Sequence, residues 1–299
     1  MKDFEGAVTV VTGGAGGLGL ALAKAAQARG SQLVIADLRE DALESAEAEL
    51  SAGGEVLAVR TDVSQAEDVE ALAAAAVQRF GKVNLLFNNA GVFASGVSWE
   101  TSAEEYNWVV GVNQLSVVHG IRSFVPRMIA QGDECHVVTV SSGAGITVNP
   151  GFCTYSMTKH AALALTESLW LDLRAQEVPN IGVTVVLPGM SRSGIMTPEK
   201  TAPPTLQDDV ARRRDNSMLT SLELMMQAGV SAGLPAEELA ERVFTAIEED
   251  ALYVLPAHDD EGSRAFATAI GTGRANGVNA YPPFVDALLD TLRGVPAND

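Results

Sequence analysis

Short runs of β-branched residues alternate along this chain with amphipathic segments, and that alternation limits the possible folds more than any other feature. VTVVT (8–12), QLVIA (32–36), EVLAV (55–59), VNLLF (83–87), CHVVTV (135–140), GVTVVL (182–187) and LYVL (252–255) read as seven strands, each apolar enough to be buried on both faces. Between them, Ala and Leu recur at helical spacing over 17–29, 41–51, 65–80, 104–130, 156–176 and 236–249. Strands that restart after each helix require right-handed crossovers. The expected architecture is therefore a doubly wound, Rossmann-type α/β fold, a parallel sheet with helices on both faces. Ser64 is expected to N-cap the helix that follows SQAEDVEAL, with acidic residues in its first turn.

With 299 residues, 47% of them hydrophobic, the chain can bury a large core without disulfides or metals. Cys135 and Cys153 make no disulfide framework and no Cys/His cluster has ligand spacing, which fits a reducing compartment and no metal. A net charge of -18 argues against a nucleic-acid partner. The densest basic cluster, ARRR at 211–214, is flanked by Asp208, Asp209 and Asp215 and reads as a solvated helix face. The uncharged run from Gly6 to Ala23 looks like a signal or membrane segment, but Asp3 and Glu5 stand where a basic flank belongs. Its glycines suit a strand-to-helix turn, so a soluble, cytoplasmic protein without a membrane partner is expected. One domain over 1–299 is expected, with a helical insertion at 196–234 as a substrate lid and a helical extension at 257–299.

The first strand runs into TGGAGGLG, Thr12 to Gly19, and then directly into an alanine-rich helix. Glycines there let backbone N–H groups at a helix N-terminus approach a pyrophosphate. Two registers fit: Gly14-x-Gly16-x-x-Gly19, or Thr12-Gly13-x-x-x-Gly17-x-Gly19 with a longer turn. Asp37 falls at the end of the second strand, where a carboxylate can grip adenosine ribose hydroxyls and repel a 2′-phosphate. That favours NAD, while Arg39 leaves NADP possible if Asp37 turns away. Asp62 in TDVS, beside Val63, can accept from an adenine amine or cap the next helix. In NNAG the asparagines can brace the sheet edge, and Ala90 and Gly91 permit close approach of a cofactor. Asn113 interrupts a helical stretch that does not favour Asn, so its amide should have a specific partner.

Tyr155 and Lys159, four residues apart in TYSMTK, lie on one face of a helix and can act on one ligand. With Thr12-Gly13-x-x-x-Gly17-x-Gly19, Asp62, Asn88-Asn89-Ala90-Gly91, Asn113, Ser142 and Pro188-Gly189, this set resembles the short-chain dehydrogenase/reductase family. The resemblance implies an NAD(P)-dependent oxidoreductase that interconverts a secondary alcohol and a ketone, with Asn113, Ser142, Tyr155 and Lys159 as its catalytic tetrad. Ser141 is the alternative to Ser142. Tyr155 would exchange a proton with the substrate oxygen, its phenolate favoured by the Lys159 ammonium and by an oxidised nicotinamide. Lys159 would also bond the nicotinamide ribose, and Asn113 would hold a relay water. Cofactor contacts are implied at Gly13, Gly17, Leu18, Gly19, Asp37, Arg39, Asp62, Val63, Asn89, Ala90, Gly91, Pro188, Gly189 and Ser193, the last standing where relatives often have threonine.

FVPRMIA, ALYVLP and the long tail are similar to a bacterial subgroup with extended C-termini, some members acting on bulky aromatic secondary alcohols. A bulky, apolar substrate is expected from the Met- and Leu-bearing insertion. The resemblance also implies pairing through the helices that hold Asn113 and Tyr155, as a homodimer or homotetramer. Two other readings share the scaffold: a redox-inactive cofactor-binding regulator, and a sugar-nucleotide epimerase or dehydratase. Cys153 and Met218, Met225 and Met226 can line the substrate site or simply pack. Trp99, Trp108 and Trp170 are expected to pack, and His160 to point away from Lys159.

Overall fold

All seven strands are parallel and form one sheet in the order β3-β2-β1-β4-β5-β6-β7. The structure, a computed structural model, describes residues 1–197, 201–212, 215–255 and 261–294. The strands are β1 (Val8–Thr12), β2 (Gln32–Asp37), β3 (Val56–Arg60), β4 (Leu85–Asn88), β5 (Cys135–Val140), β6 (Ile181–Val186) and β7 (Tyr253–Val254). Each lies within a residue or two of its expected run. The helices are α1 (Gly17–Gln27), α2 (Glu40–Leu50), α3 (Ala66–Phe80), α4 (Ala103–Val110), α5 (Ser116–Gln131), α6 (Cys153–Ala175), α7 (Gln207–Arg212), α8 (Ser217–Ala232), α9 (Ala236–Glu248), α10 (Glu261–Ala275) and α11 (Pro282–Gly294). The ARRR cluster reaches positions 213 and 214, and the tail expected from 257 includes 257–260 and 295–299; these lie outside the described residues.

Successive strand residues point to opposite faces, so each strand feeds two cores. Val11, Ile35 and Phe87 pack under α1, α2 and α9, where Phe244 meets Phe87 at 5.8 Å and Phe4 at 5.2 Å between ring centres. Val10, Val34 and Leu86 pack under α3, α5 and α6 with Phe124, Leu72 and Leu169. Full burial of each such side chain contributes about 1.5–3 kcal/mol. Strand β1 pairs in parallel with both β2 and β4, so the order in which strands are added to the sheet reverses beside it. Ligands bind at such a switch point, beyond the carboxyl ends of the strands.

Three local expectations are corrected. Gln65, not Ser64, occupies the N-cap of α3, because the Ser64 backbone N–H and hydroxyl both donate to Asp62 Oδ1, at 3.0 and 2.7 Å. The stretch 104–130 is not one regular helix. A π-helical turn, Gly111–Leu115, separates α4 from α5, and Asn113 sits in it. Trp99 does not pack: it stands 84% exposed on a turn closed by the Glu100 and Thr101 N–H groups on Val97 O. Trp108 packs against Val92, Val109 and Leu206, and Trp170 against the α6 side of the core, under the Arg174 guanidinium.

Candidate active site

The turn from β1 to α1 decides between the two glycine registers. Gly13 and Gly17 have φ of +64° and +52°, a conformation that side-chain-bearing residues rarely adopt. A Cβ on Gly19 would overlap Gly13 O and come within 2.6 Å of Asn89 Nδ2. Gly16 is extended, at φ -174°, where any residue fits. The backbone therefore requires glycine at 13, 17 and 19, and also at 14, where a Cβ would stand 2.9 Å from Val11 O, but not at 16, which selects the longer register. Asn89 Nδ2 braces this turn by donating to Thr12 O at 2.8 Å and Gly13 O at 3.2 Å. Thr12 Oγ1 accepts from the Asn89 and Ala90 N–H groups and donates to Phe87 O. NNAG thus binds β4 to the glycine turn while its last two residues face the cleft.

Asp37 does not turn away. Its Oδ2 accepts from Ala15 N–H at 3.4 Å, and its Oδ1 from Arg39 N–H at 3.2 Å with the Arg39 guanidinium Nε 3.4 Å off. The carboxylate is thereby aimed at the glycine turn. Arg39 is half exposed and overhangs Gly16, its Nη2 3.9 Å from the site of a Cβ there.

Beyond β5, the two neighbouring serines do different things. Ser141 Oγ donates to Lys159 O at 2.8 Å and is spent on holding α6. Ser142 Oγ accepts from Ala144 N–H at 3.1 Å and turns its own hydroxyl toward the Tyr155 phenol, at the cavity. Helix α6 starts at Cys153, three residues before the expected 156, so Tyr155 and Lys159 both sit within regular helix. Lys159 is 3% exposed, and its Nζ donates to Val140 O at 2.9 Å. Burial lowers its ammonium to about 8.

Burial also raises the Tyr155 phenol, opposed by the Ser142 hydroxyl. Lys159 Nζ stands 5.7 Å from the centre of the Tyr155 ring. Asn113 has the specific partner its position called for: Oδ1 accepts from Val92 N–H at 2.8 Å, and Nδ2 donates to Val92 O at 2.9 Å and Thr158 Oγ1 at 3.3 Å. Its Oδ1 and Lys159 Nζ each lie 3.4 Å from the point a Cβ on Gly91 would occupy.

These strand ends open into one cavity of about 1000 Å³. Its walls include Gly13, Gly17, Leu18 and Gly19 after β1, Asp37 and Arg39 after β2, and Asp62 and Val63 after β3. Asn89, Ala90 and Gly91 follow from β4, Ser142 from β5, Tyr155 and Lys159 from α6, and Pro188, Gly189 and Ser193 from β6. Asn113 alone among the expected site residues stays behind the wall.

Cys153 is not in the wall either. Its Sγ packs 3.5 Å from Tyr106 Oη and 3.6 Å from Gly96 O, which settles it as packing. Met225 and Met226 do line the cavity, whereas Met218 packs against the Phe93, Phe152 and Leu222 cluster. His160 Nδ1 bonds to Ser156 O, away from the cavity.

The short chain dehydrogenase family profile matches residues 7–203. The chain belongs to the short-chain dehydrogenase family. A short chain dehydrogenase/reductase from Burkholderia phymatum, solved in complex with NAD, superposes with a TM-score of 0.85 at 37% identity, covering 94% of this chain and 98% of that one. A C alpha-dehydrogenase of Sphingobium sp. strain SYK-6 is 36% identical over 86% of this chain and 82% of its own. An alcohol dehydrogenase from Thermococcus sibiricus, complexed with 5-hydroxy-NADP, matches at 25% identity with a TM-score of 0.66, covering 85% of this chain and 95% of that one. This short-chain dehydrogenase is thus an oxidoreductase, and neither the regulator nor the epimerase reading is favoured.

The dinucleotide that the family implies is tested by the cleft itself. Backbone crowds the turn so closely that a Cβ at 13, 17 or 19 is strained or excluded, α1 begins at that turn, and a buried-edge carboxylate faces it. The residues fit the group. Sequence reasoning missed the other half of the wall: Phe93, Phe152, Ile146, Leu222, Phe266 and Leu288. Phe93 had a signal, an aromatic in a loop directly after NNAG. Phe266 and Leu288 had none, because they reach the site from α10 and α11 only through tertiary packing.

Proposed function

We propose that this short-chain dehydrogenase interconverts a bulky, apolar secondary alcohol and its ketone, using NAD(H). One observation carries the reading: the Tyr155 ring packs at 5.1 Å against Phe93, itself 5.0 Å from Phe152, so the phenol stands where the cofactor cleft meets an apolar pocket. Met225, Met226, Phe266 and Leu288 complete that pocket, with 196–234 acting as a lid and the C-terminal extension as an outer wall of a one-domain chain. When bound, the dinucleotide supplies hydride exchange at its nicotinamide ring.

The chain's own residues do the rest. The turn at Gly13, Gly17, Leu18 and Gly19 would seat the pyrophosphate at the start of α1, and Asp37 would take the adenosine ribose hydroxyls. Asp62 and Val63 would border the adenine; Asn89, Ala90, Gly91, Pro188, Gly189 and Ser193 would border the nicotinamide half. Ser142, beside the Tyr155 phenol, donates to the substrate oxygen and fixes it. Tyr155 takes the hydroxyl proton of an alcohol, or returns it to a ketone. Lys159, held by Val140 O through one N–H, keeps two more for the ribose and for passing a proton outward, near Asn113. The held Asp37 supports NAD over NADP.

Exposed apolar side chains on the outer faces of this region, Leu115, Ile129, Met157 and Leu171, support pairing of copies through α5 and α6. The two free cysteines support a cytoplasmic setting. No helix among the described residues is long and apolar enough to cross a membrane. The test is NADH and NADPH consumption with ketones of increasing size. Preference for NADH and for large aryl or alicyclic ketones is expected; restriction to small or charged ketones, or no turnover at all, overturns the reading.

A further inference from the structure

We infer that Glu223 is a positioning residue that sets how large a substrate the pocket accepts, by latching α8 to the loop after β4. The inference rests on the ketone chemistry proposed above. The segment between β6 and α9 leaves and re-enters the body at one point, where Leu234 N–H donates to Met190 O at 3.0 Å and Arg192 N–H to Leu234 O at 2.8 Å. Everything between those ties depends on its own contacts for placement. Helix α8 presents Leu219 and Leu222, both buried, to Gly151, where a Cβ would stand 2.8 Å from Leu219 Cδ2 and 3.2 Å from Leu222 Cδ1. Leu222 also joins Phe93 and Phe152. Apolar contacts of this kind hold the helix down without direction, so they do not set its register along the surface.

Direction comes from two hydroxyl-to-carboxylate bonds. The fully buried Ser95 donates to Glu223 Oε1, joining residues 128 apart in the chain. Ser102, which caps α4 by accepting from Glu105 N–H, donates to Asp209 Oδ2 of α7 at 2.9 Å. Ser95 lies two residues beyond Phe93, the ring packed on Tyr155. Glu223 follows Leu222 and precedes Met225 and Met226, all three in the cavity wall, while neither Ser95 nor Glu223 is part of it. One bond therefore ties the loop whose Phe93 packs on the proposed acid to the α8 wall, without touching the substrate. A charge-assisted hydrogen bond is directional and about twice as strong as a neutral one, which suits it to this task.

The experiment compares wild type with Glu223→Ala, Glu223→Gln, Ser95→Ala and the double variant Ser95→Ala/Glu223→Ala. KM and kcat are measured over a ketone series, with NADH affinity and amide hydrogen exchange of 217–232 in parallel. Glu223→Ala is expected to raise KM for bulky ketones about tenfold, to leave kcat, small-ketone kinetics and NADH affinity near wild type, and to speed exchange in α8. Glu223→Gln keeps a carbonyl acceptor and should restore most of both effects. The double variant should be no worse than either single, since both remove one bond. Equal KM changes for every ketone, additive single effects, Glu223→Gln as impaired as Glu223→Ala, or unchanged exchange would each overturn the latch. If wild type reduces no ketone, the proposed function fails, and the exchange comparison alone decides the latch.

Discussion

Lys159→Met separates the cost of burying a charge from its use. Lys159 is 3% exposed, and burial holds its ammonium at about 8 against an ordinary 10.5. That gap corresponds to roughly 3 kcal/mol spent on keeping the charge inside at neutral pH, as an order of magnitude. Methionine fills much of the same stem volume and removes the charge, but it also loses the bond to Val140 O, which contributes about 1.5–3 kcal/mol. The two terms nearly cancel, so at neutral pH the cofactor-free variant should match wild type within about 1.5 kcal/mol. Ketone reduction should nevertheless be lost.

The pH dependence carries the sign. Between 8 and 10.5 the unfolded wild type binds a proton that the folded chain has released, so wild-type stability rises with pH through that window. Relative to the Met variant, wild type should gain up to roughly 3 kcal/mol across it. Urea unfolding of both proteins, followed by circular dichroism at a series of pH values, measures the difference directly. A difference in unfolding free energy that stays flat from 8 to 10.5 would refute the argument that Lys159 is charged and desolvated in the fold.

Four further outcomes are expected. Tyr155→Phe should lower kcat by roughly 10²–10⁴-fold with NADH affinity nearly unchanged, and substantial residual turnover removes Tyr155 from the acid/base role. Asp37→Ser frees Arg39 from its 3.4 Å partner and should move the NADPH-to-NADH ratio of kcat/KM upward by about tenfold; an unchanged ratio contradicts the carboxylate's part. Gly19→Ala drives a methyl into Gly13 O and should cost about 1–3 kcal/mol in thermal melts and most of the NADH affinity, whereas Gly16→Ala should cost only tenths. Equal effects at the two positions would return the short glycine register to contention. Ser142→Ala should cut kcat by about 10²-fold, while Ser141→Ala should leave kcat near wild type, each losing one hydrogen bond worth about 1 kcal/mol; steady-state rates and melts on both decide it.

Most of the sheet was legible because the strands between its two edges are buried on both faces and so read as unbroken apolar runs, as in Val8–Thr12. The π-helical turn was not, since the apolar periodicity of 104–130 continues through it and only an unfavoured Asn113 marked the place. The Ser64 cap failed for a local reason: Asp62, two residues away, competes for the same hydroxyl and N–H. Cys153 and Met225 show the opposite limit. Both were plausible wall residues from their chemistry, and one turned toward Tyr106 while the other turned into the cavity.

The sequence by itself determined what short-range spacing can carry: the strand-turn-helix unit at Thr12–Gly19, the carboxylate at a strand end, Tyr155 and Lys159 one helical turn apart, and their order along a doubly wound fold. Only the tertiary structure decided which glycine register the turn needs, which of two adjacent serines turns its hydroxyl to Tyr155, and that Asp37 is held toward the turn. It also brought Phe266 and Leu288 to the same cavity and joined Ser95 to Glu223 behind its wall. The reason is physical: side-chain direction and partner choice are fixed by atoms tens to hundreds of residues away, and no local pattern encodes their positions.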